Sequence, residues 1–124
     1  MSTDPSTGTD TLTEAVAALL RTPFDPLLSD LIRLRLQAAL LGLPADAAMT
    51  FTALRRTLGL SDGNLGAHLA VLVDAGYAHP TVTWRGKRRT TRYRGTPTGR
   101  AAFTTHTHAL QSVIEASRPN TAHP

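Results

Sequence analysis

The chemistry this sequence offers is mostly that of arginine. Twelve of its thirteen basic residues are arginines, and six of the thirteen fall within residues 85–94: Arg85, Lys87, Arg88, Arg89, Arg92 and Arg94. A guanidinium forks onto phosphate and reaches base edges better than an ammonium does. The five histidines, His68, His79, His106, His108 and His123, offer less. His106 and His108 are two apart and lie on different faces of any helix, so they do not form the i, i+4 pair of a metal-binding helix. The chain has no cysteine, which excludes thiolate metal sites, disulfides and cysteine nucleophiles. There is no glycine-rich phosphate loop, no paired carboxylates and no nucleophile elbow. We therefore expect no catalytic residue, no metal and no cofactor, and a protein that is not an enzyme.

The distribution of charge sharpens this. The 124 residues carry a net +4. Residues 1–50 hold three basic groups against six acidic ones, a net −3, whereas residues 51–100 hold nine basic groups against Asp62 and Asp74, a net +7. The length allows one small domain, which often completes a lean core by oligomerising. No apolar run is long enough to span a membrane, and the polar, acidic start is unlike a secretory signal. A cytoplasmic, nucleoid-associated location with no membrane partner is expected.

The elements that must position these residues follow from local pattern. Residues 1–10 lack an apolar period and read as a disordered tail. Thr11-Leu12-Thr13-Glu14 has the form of a capping box, and Leu12, Val16, Leu19 and Leu20 recur at helical spacing to about Arg21, before Pro23. Asp25-Pro26 offers a capped turn, Ser29 a cap for a second helix that is apolar on most sides, and Gly42 and Pro44 its end. Met49-Thr50-Phe51 reads as extended, with Thr52 capping a short helix through Leu58. Gly59 supplies the left-handed end of that helix. Ser61 caps the next, which buries Leu65, Leu69 and Leu72 and ends at Gly76. This is a helix-turn-helix over residues 52–76.

Beyond Gly76 the period becomes two. Ala78, Val82 and Trp84 share one strand face, Pro80 marks an edge or bulge, and Arg85-Gly86-Lys87-Arg88 makes a turn. In the returning strand Thr91 and Tyr93 lie opposite Arg88, Arg92 and Arg94. Thr96-Pro97 opens a last helix to about Ser117, and residues 118–124 read as a frayed end. Phe103, His106, Leu110, Val113, Ile114 and Ser117 form a stripe with the spacing of a helix–helix seam.

The order helix, helix, short strand, helix, turn, helix, basic hairpin, helix resembles a winged helix-turn-helix domain. It is mainly α with a small β-hairpin (α+β). The strings Phe51-Thr52-Ala53-Leu54-Arg55, Leu58-Gly59-Leu60-Ser61-Asp62-Gly63-Asn64-Leu65, His68-Leu69, Leu72-Val73-Asp74-Ala75-Gly76-Tyr77, Thr90-Thr91-Arg92-Tyr93-Arg94 and Thr96-Pro97-Thr98-Gly99-Arg100 keep the order and spacing of the small regulators close to the MarR and ArsR repressors. The resemblance covers roughly residues 25–115 and places the wing at 77–95. One departure is Gly95, where the family usually has leucine; a looser junction between wing and last helix is expected there.

The resemblance implies a DNA-binding transcriptional regulator, most simply a dimeric repressor that occludes a promoter at a palindromic operator. The second helix of the pair would enter the major groove with Ser61, Asp62, Gly63, Asn64, Ala67 and His68. Asn64 suits adenine, and Ser61 with the free N–H groups suits phosphate. Asp62 either accepts from cytosine or serves only as a first-turn residue favoured by the helix dipole. His68 is either a partner-satisfied histidine or a DNA contact. Gly63 and Gly66 either weaken a helix held by packing or permit close approach to DNA, and we favour the second. Arg55 and Arg56 would touch flanking backbone. Arg85, Lys87, Arg88 and Arg89 would enter the minor groove, with Arg92 and Arg94 on phosphates. Trp84 is expected to anchor the wing to the body. The helices over 11–21 and 97–117 would dimerise through Leu12, Val16, Leu19, Leu20 and the Phe103–Ser117 stripe. The resemblance also implies a small effector where these helices meet the DNA-binding lobe, although no residue set identifies one. The alternative reading is a winged module that binds RNA or a protein.

Overall fold

The computed structural model describes residues 5–119, with side chains from 13 to 119. The expected features of residues 1–4 and 120–124 lie outside the described residues. The elements run α1 (Pro5–Leu20), α2 (Leu31–Leu41), β1 (Met49–Thr50), α3 (Phe51–Leu58), α4 (Asp62–Asp74), β2 (Ala78–Arg85), β3 (Arg88–Gly95) and α5 (Pro97–Ser117). They divide into two units, one over Asp25–Thr104 and one made of Met1–Phe24 with Thr105–Pro124.

In the Asp25–Thr104 unit, leucines at helical spacing build the core. Leu28, Leu36, Leu40, Leu54, Leu65, Leu69 and Leu72 are buried with Ala78, and Tyr77, Tyr93, Ala102 and Phe103 pack against them. Truncating one such leucine to alanine ordinarily costs about 2–5 kcal/mol. Strand β3 lies at the centre of an antiparallel sheet ordered β1-β3-β2. Pro80 sits on the edge strand β2 opposite Tyr93, where a missing donor is tolerated.

Two helix starts differ from expectation. The cap of α2 is Asp30, whose carboxylate accepts from the backbone N–H groups of Ile32 (2.9 Å) and Arg33 (3.1 Å). Ser29 belongs to the preceding turn, where its hydroxyl donates to the Asp25 carbonyl (2.9 Å) and Asp25 caps Leu27 and Leu28. The Arg33 N–H is the main reason the Asp30 carboxyl is held below its ordinary value. The cap of α3 is Thr50, not Thr52, with its hydroxyl accepting from the Ala53 N–H (3.1 Å). Thr50 ends a strand paired with Arg92, so Phe51 is the first helical residue and packs on the core.

At the junction of wing and last helix, a Cβ on Gly95 would lie 2.7 Å from Leu41 Cδ2. Leu41 of α2 therefore packs directly against the backbone at position 95, and a larger residue there would require Leu41 to shift. A Cβ on Gly99 would collide with the Gln37 amide and the Tyr77 backbone. The fully buried Gln37 donates to the Tyr77 carbonyl (3.1 Å) there. The Tyr77 hydroxyl donates to Asp25 (2.6 Å). That bond, reinforced by burial and the carboxylate charge, pushes the phenol up to about 12.

In the other unit, α1 starts at Pro5, earlier than the Thr11 expected from the capping box. Proline is well suited to a first helical position, because its missing N–H would be unpaired there anyway. From Thr105 onward α5 turns His106, Ala109 and Ser112 inward. His106 meets Phe24 edge to face, with ring centroids 5.2 Å apart, and the Ser112 hydroxyl donates to the His108 carbonyl one turn back (3.0 Å).

Candidate nucleic-acid interface

Helices α3 and α4 are joined by Gly59-Leu60-Ser61. Gly59 takes the left-handed conformation (φ 66°), and the Leu60 N–H returns to the Arg55 carbonyl (3.0 Å), which reverses the chain within three residues. The Ser61 hydroxyl caps α4 by accepting from the Asn64 N–H (3.2 Å). Burial of Leu65, Leu69 and Leu72 fixes the rotation of α4 and leaves Ser61, Asp62, Gly63, Asn64 and Ala67 facing solvent at its N-terminal end. All five are small, and Asn64 is the amide among them. Ideal Cβ atoms built on Gly63 and Gly66 meet nothing within 4 Å. Internal packing therefore requires neither glycine.

Two residues of this surface are engaged within the protein. Asp62 pairs with Arg55 of α3 (Nε to Oδ1, 3.1 Å), tying the turn together across its outer side. His68 is half-buried, and its Nδ1 takes Arg33 Nη1 at 3.3 Å while Arg33 Nε donates to the Leu27 carbonyl (2.6 Å). With Arg33 as the donor, the His68 proton belongs on Nε2. The structure thus displays a partner-satisfied histidine. Neither Arg55–Asp62 nor Arg33–His68 is at a spacing that a helical pattern flags; both are tertiary. Arg56 is exposed.

The hairpin is closed by a two-residue loop between the paired Arg85 and Arg88, with Gly86 first at φ 64°, the arrangement of a type II′ turn. Residues 81–89 are all exposed. The cross-strand partners are Arg85↔Arg88, Thr83↔Thr90, Thr81↔Arg92 and His79↔Arg94 on one face. Arg85, Arg88, Arg92 and Arg94 therefore form one row, within which Arg92 donates to the Thr83 hydroxyl (3.0 Å). The other face carries Trp84↔Arg89, Val82↔Thr91 and Pro80↔Tyr93. Trp84 is 65% exposed, so it does not anchor the wing to the body as expected. Tyr93 and Ala78 take that role at the hairpin's base, where they pack with the core.

The residues expected at a dimer seam separate into groups. Phe103 packs against the core leucines and His106 is buried, while Leu19 and Leu110 are half-buried and Ser117 is exposed with its hydroxyl on the Ile114 carbonyl (2.6 Å). Val16, Leu20, Val113 and Ile114 remain exposed, Leu20 and Ile114 by just over half. The Leu12 side chain lies outside the described residues. Among the described residues, no three histidine or carboxylate side chains are grouped to hold a metal, and no helix is long and apolar enough to cross a membrane.

The fold recurs in known proteins. A transcriptional regulator homologue from Pyrococcus horikoshii OT3 superposes with a TM-score of 0.64 at 22% identity, covering 82% of this chain and 95% of that one. A MarR-family transcriptional regulator from Silicibacter pomeroyi gives 0.55 at 21% identity over 92% of this chain and 75% of that one. Wild-type apo MarR from E. coli gives 0.55 at 20% identity over 98% and 89%. At such identities the likeness is one of fold. No curated protein matches the sequence significantly. The sequence itself matches the model of the winged helix DNA-binding domain over residues 32–114. The chain belongs to the winged helix DNA-binding domain family.

Proposed function

We propose that this protein is a dimeric transcriptional regulator that binds duplex DNA and represses by occupying promoter sequence. The observation that carries the reading is that one folded unit presents both the bare N-terminal end of α4 and a wing with six exposed cations. In this arrangement α4 enters the major groove N-terminus first. Asn64 reads adenine, Ser61 and the adjacent N–H groups hold a phosphate, and Gly63 lets the helix approach closely. Arg56 and Arg55 lie on flanking backbone, the latter on exchanging Asp62 for phosphate. Arg85, Lys87, Arg88 and Arg89 reach the minor groove, and Arg92 and Arg94 track phosphates. Support for a dimer comes from the exposed apolar side chains of the other unit, Val16, Leu20, Val113 and Ile114, and from the fold shared with the MarR-family structures. A two-fold dimer would read a palindromic operator as two half-sites about one helical turn apart.

The reading is tested by titrating duplex DNA at several salt concentrations. Affinity should fall steeply with salt as phosphates are neutralised; affinity that is flat between low and physiological salt overturns it. Light scattering should give twice the 13.2 kDa chain mass, and a 13.2 kDa particle at micromolar concentration overturns the dimer. Sequencing of genomic fragments retained by the protein should return a palindromic site upstream of genes.

A further inference from the structure

The wing carries a second kind of surface that the phosphate-binding reading leaves unused. On the face opposite the arginine row, Trp84 stands directly across from Arg89, one residue before the pair that closes the turn, with Val82 and Thr91 next along the same face. Trp84 is 65% exposed and Val82 40%, and among the described residues no aromatic ring pairs with the indole. A tryptophan carries about 150–250 Å² of surface that is favourable to bury, and here its own fold leaves most of it exposed. Its surroundings narrow what can cover it. Six cations lie within residues 85–94 with no acidic residue among them. A partner must therefore be polyanionic and also offer flat apolar surface at the same place. Duplex DNA does both, in its phosphates and in the sugar and base edges that wall the minor groove.

Resting on the duplex-binding reading above, we propose that Trp84 is a DNA contact. Its indole packs against the minor-groove wall where the wing enters, with its cross-strand partner Arg89 beside it in the groove, so that part of the wing's grip is apolar and independent of salt. The apolar face of the hairpin is then a working surface, and the arginine row on the other face supplies the charge-dependent part.

The chain has a single tryptophan, so its emission reports on this site alone. The probe is a mixed-sequence duplex of about 30 base pairs, long enough for two half-sites one turn apart, with binding followed in parallel by anisotropy of a label on the DNA. Trp84 emission should quench or shift and saturate together with the anisotropy. Trp84→Ala should weaken binding about tenfold, in the range of an aromatic contact to nucleic acid, while the slope of log affinity against log salt stays unchanged. Trp84→Phe should recover most of the affinity. By contrast, Arg94→Ala should reduce the salt slope by about 0.9, the signature of one phosphate no longer neutralised. The proposal is overturned if anisotropy saturates while the emission stays still and Trp84→Ala binds like the parent. Absence of any anisotropy change overturns the duplex-binding reading itself. An emission shift on vesicles containing phosphatidylserine, with none on duplex, overturns the proposal in favour of a lipid surface.

Discussion

The N-terminal end of α4 and the wing are both exposed, yet they are built from opposite materials. The helix end is small and close to neutral: Ser61, Gly63, Asn64 and Ala67, with Asp62 occupied by Arg55. The wing is long-armed and cationic, with one face of arginines and a tryptophan on the other. Small side chains allow a backbone to come close and leave a single amide to discriminate. Long guanidinium side chains tolerate many geometries and draw most of their energy from charge. In the proposed complex the two regions have separate roles. The wing supplies affinity with little sequence dependence, and α4 supplies discrimination with little affinity of its own.

The largest expected effect breaks the wing's side of this division. Replacing Arg88, Arg92 and Arg94 together by alanine should lower duplex affinity at physiological salt by orders of magnitude and reduce the salt slope by about 0.9 for each phosphate left unneutralised. An unchanged slope would move the affinity onto α4. Next comes Asn64→Ala, which should cost about 1–3 kcal/mol in preference for the selected site over single-base variants, with affinity for mixed-sequence duplex nearly unaltered. If both affinities fell alike, Asn64 would be a backbone contact and the division would fail on the helix side. Gly63→Ala separates folding from binding. Its Cβ enters open space in the free protein, so thermal melts should show a gain of about 0.5–1 kcal/mol while duplex affinity drops. Retained affinity would show that the helix does not need close approach there.

The smallest effect concerns the scaffold that carries both regions. Tyr77 is pushed up to about 12 by its bond to Asp25, above its ordinary value near 10. The stabilisation from that bond is whole below about pH 10 and fades as pH rises from there towards 12, because only the folded state resists losing the phenolic proton. Tyr77→Phe should flatten the melting temperature in this window, and a parent protein equally flat would mean the hydrogen bond contributes nothing measurable.

Much of this was legible in the residues themselves. Gly59, Ser61 and the Gly86 turn act through local backbone geometry, and Leu65, Leu69 and Leu72 through helical period, so each stands where pattern alone placed it. The misplacements share a cause. Ser29 and Thr52 can cap a helix as well as Asp30 and Thr50 can; what decides is a tertiary partner, Arg92 across from Thr50 and the Asp25 turn holding Ser29. The seam spacing in α5 was visible, but spacing does not say which side meets the protein's own interior, and Phe103 and His106 are committed there. Trp84 misled for a related reason: aromatic character shows what a side chain gains from cover, not where the cover comes from.

The strand β2 has a consequence of its own. It is the outer strand of its sheet, eight residues long and exposed over its distal part. A free edge of that length invites pairing with the edge of another molecule. Pro80 lacks the N–H that such pairing would use, and the like charges of the wing cations should oppose the approach of a second hairpin. The same arginines are therefore expected to limit self-association as well as to serve the proposed binding. A variant stripped of them should be handled dilute and at raised salt, and its weakened binding should be read beside a measurement of aggregation.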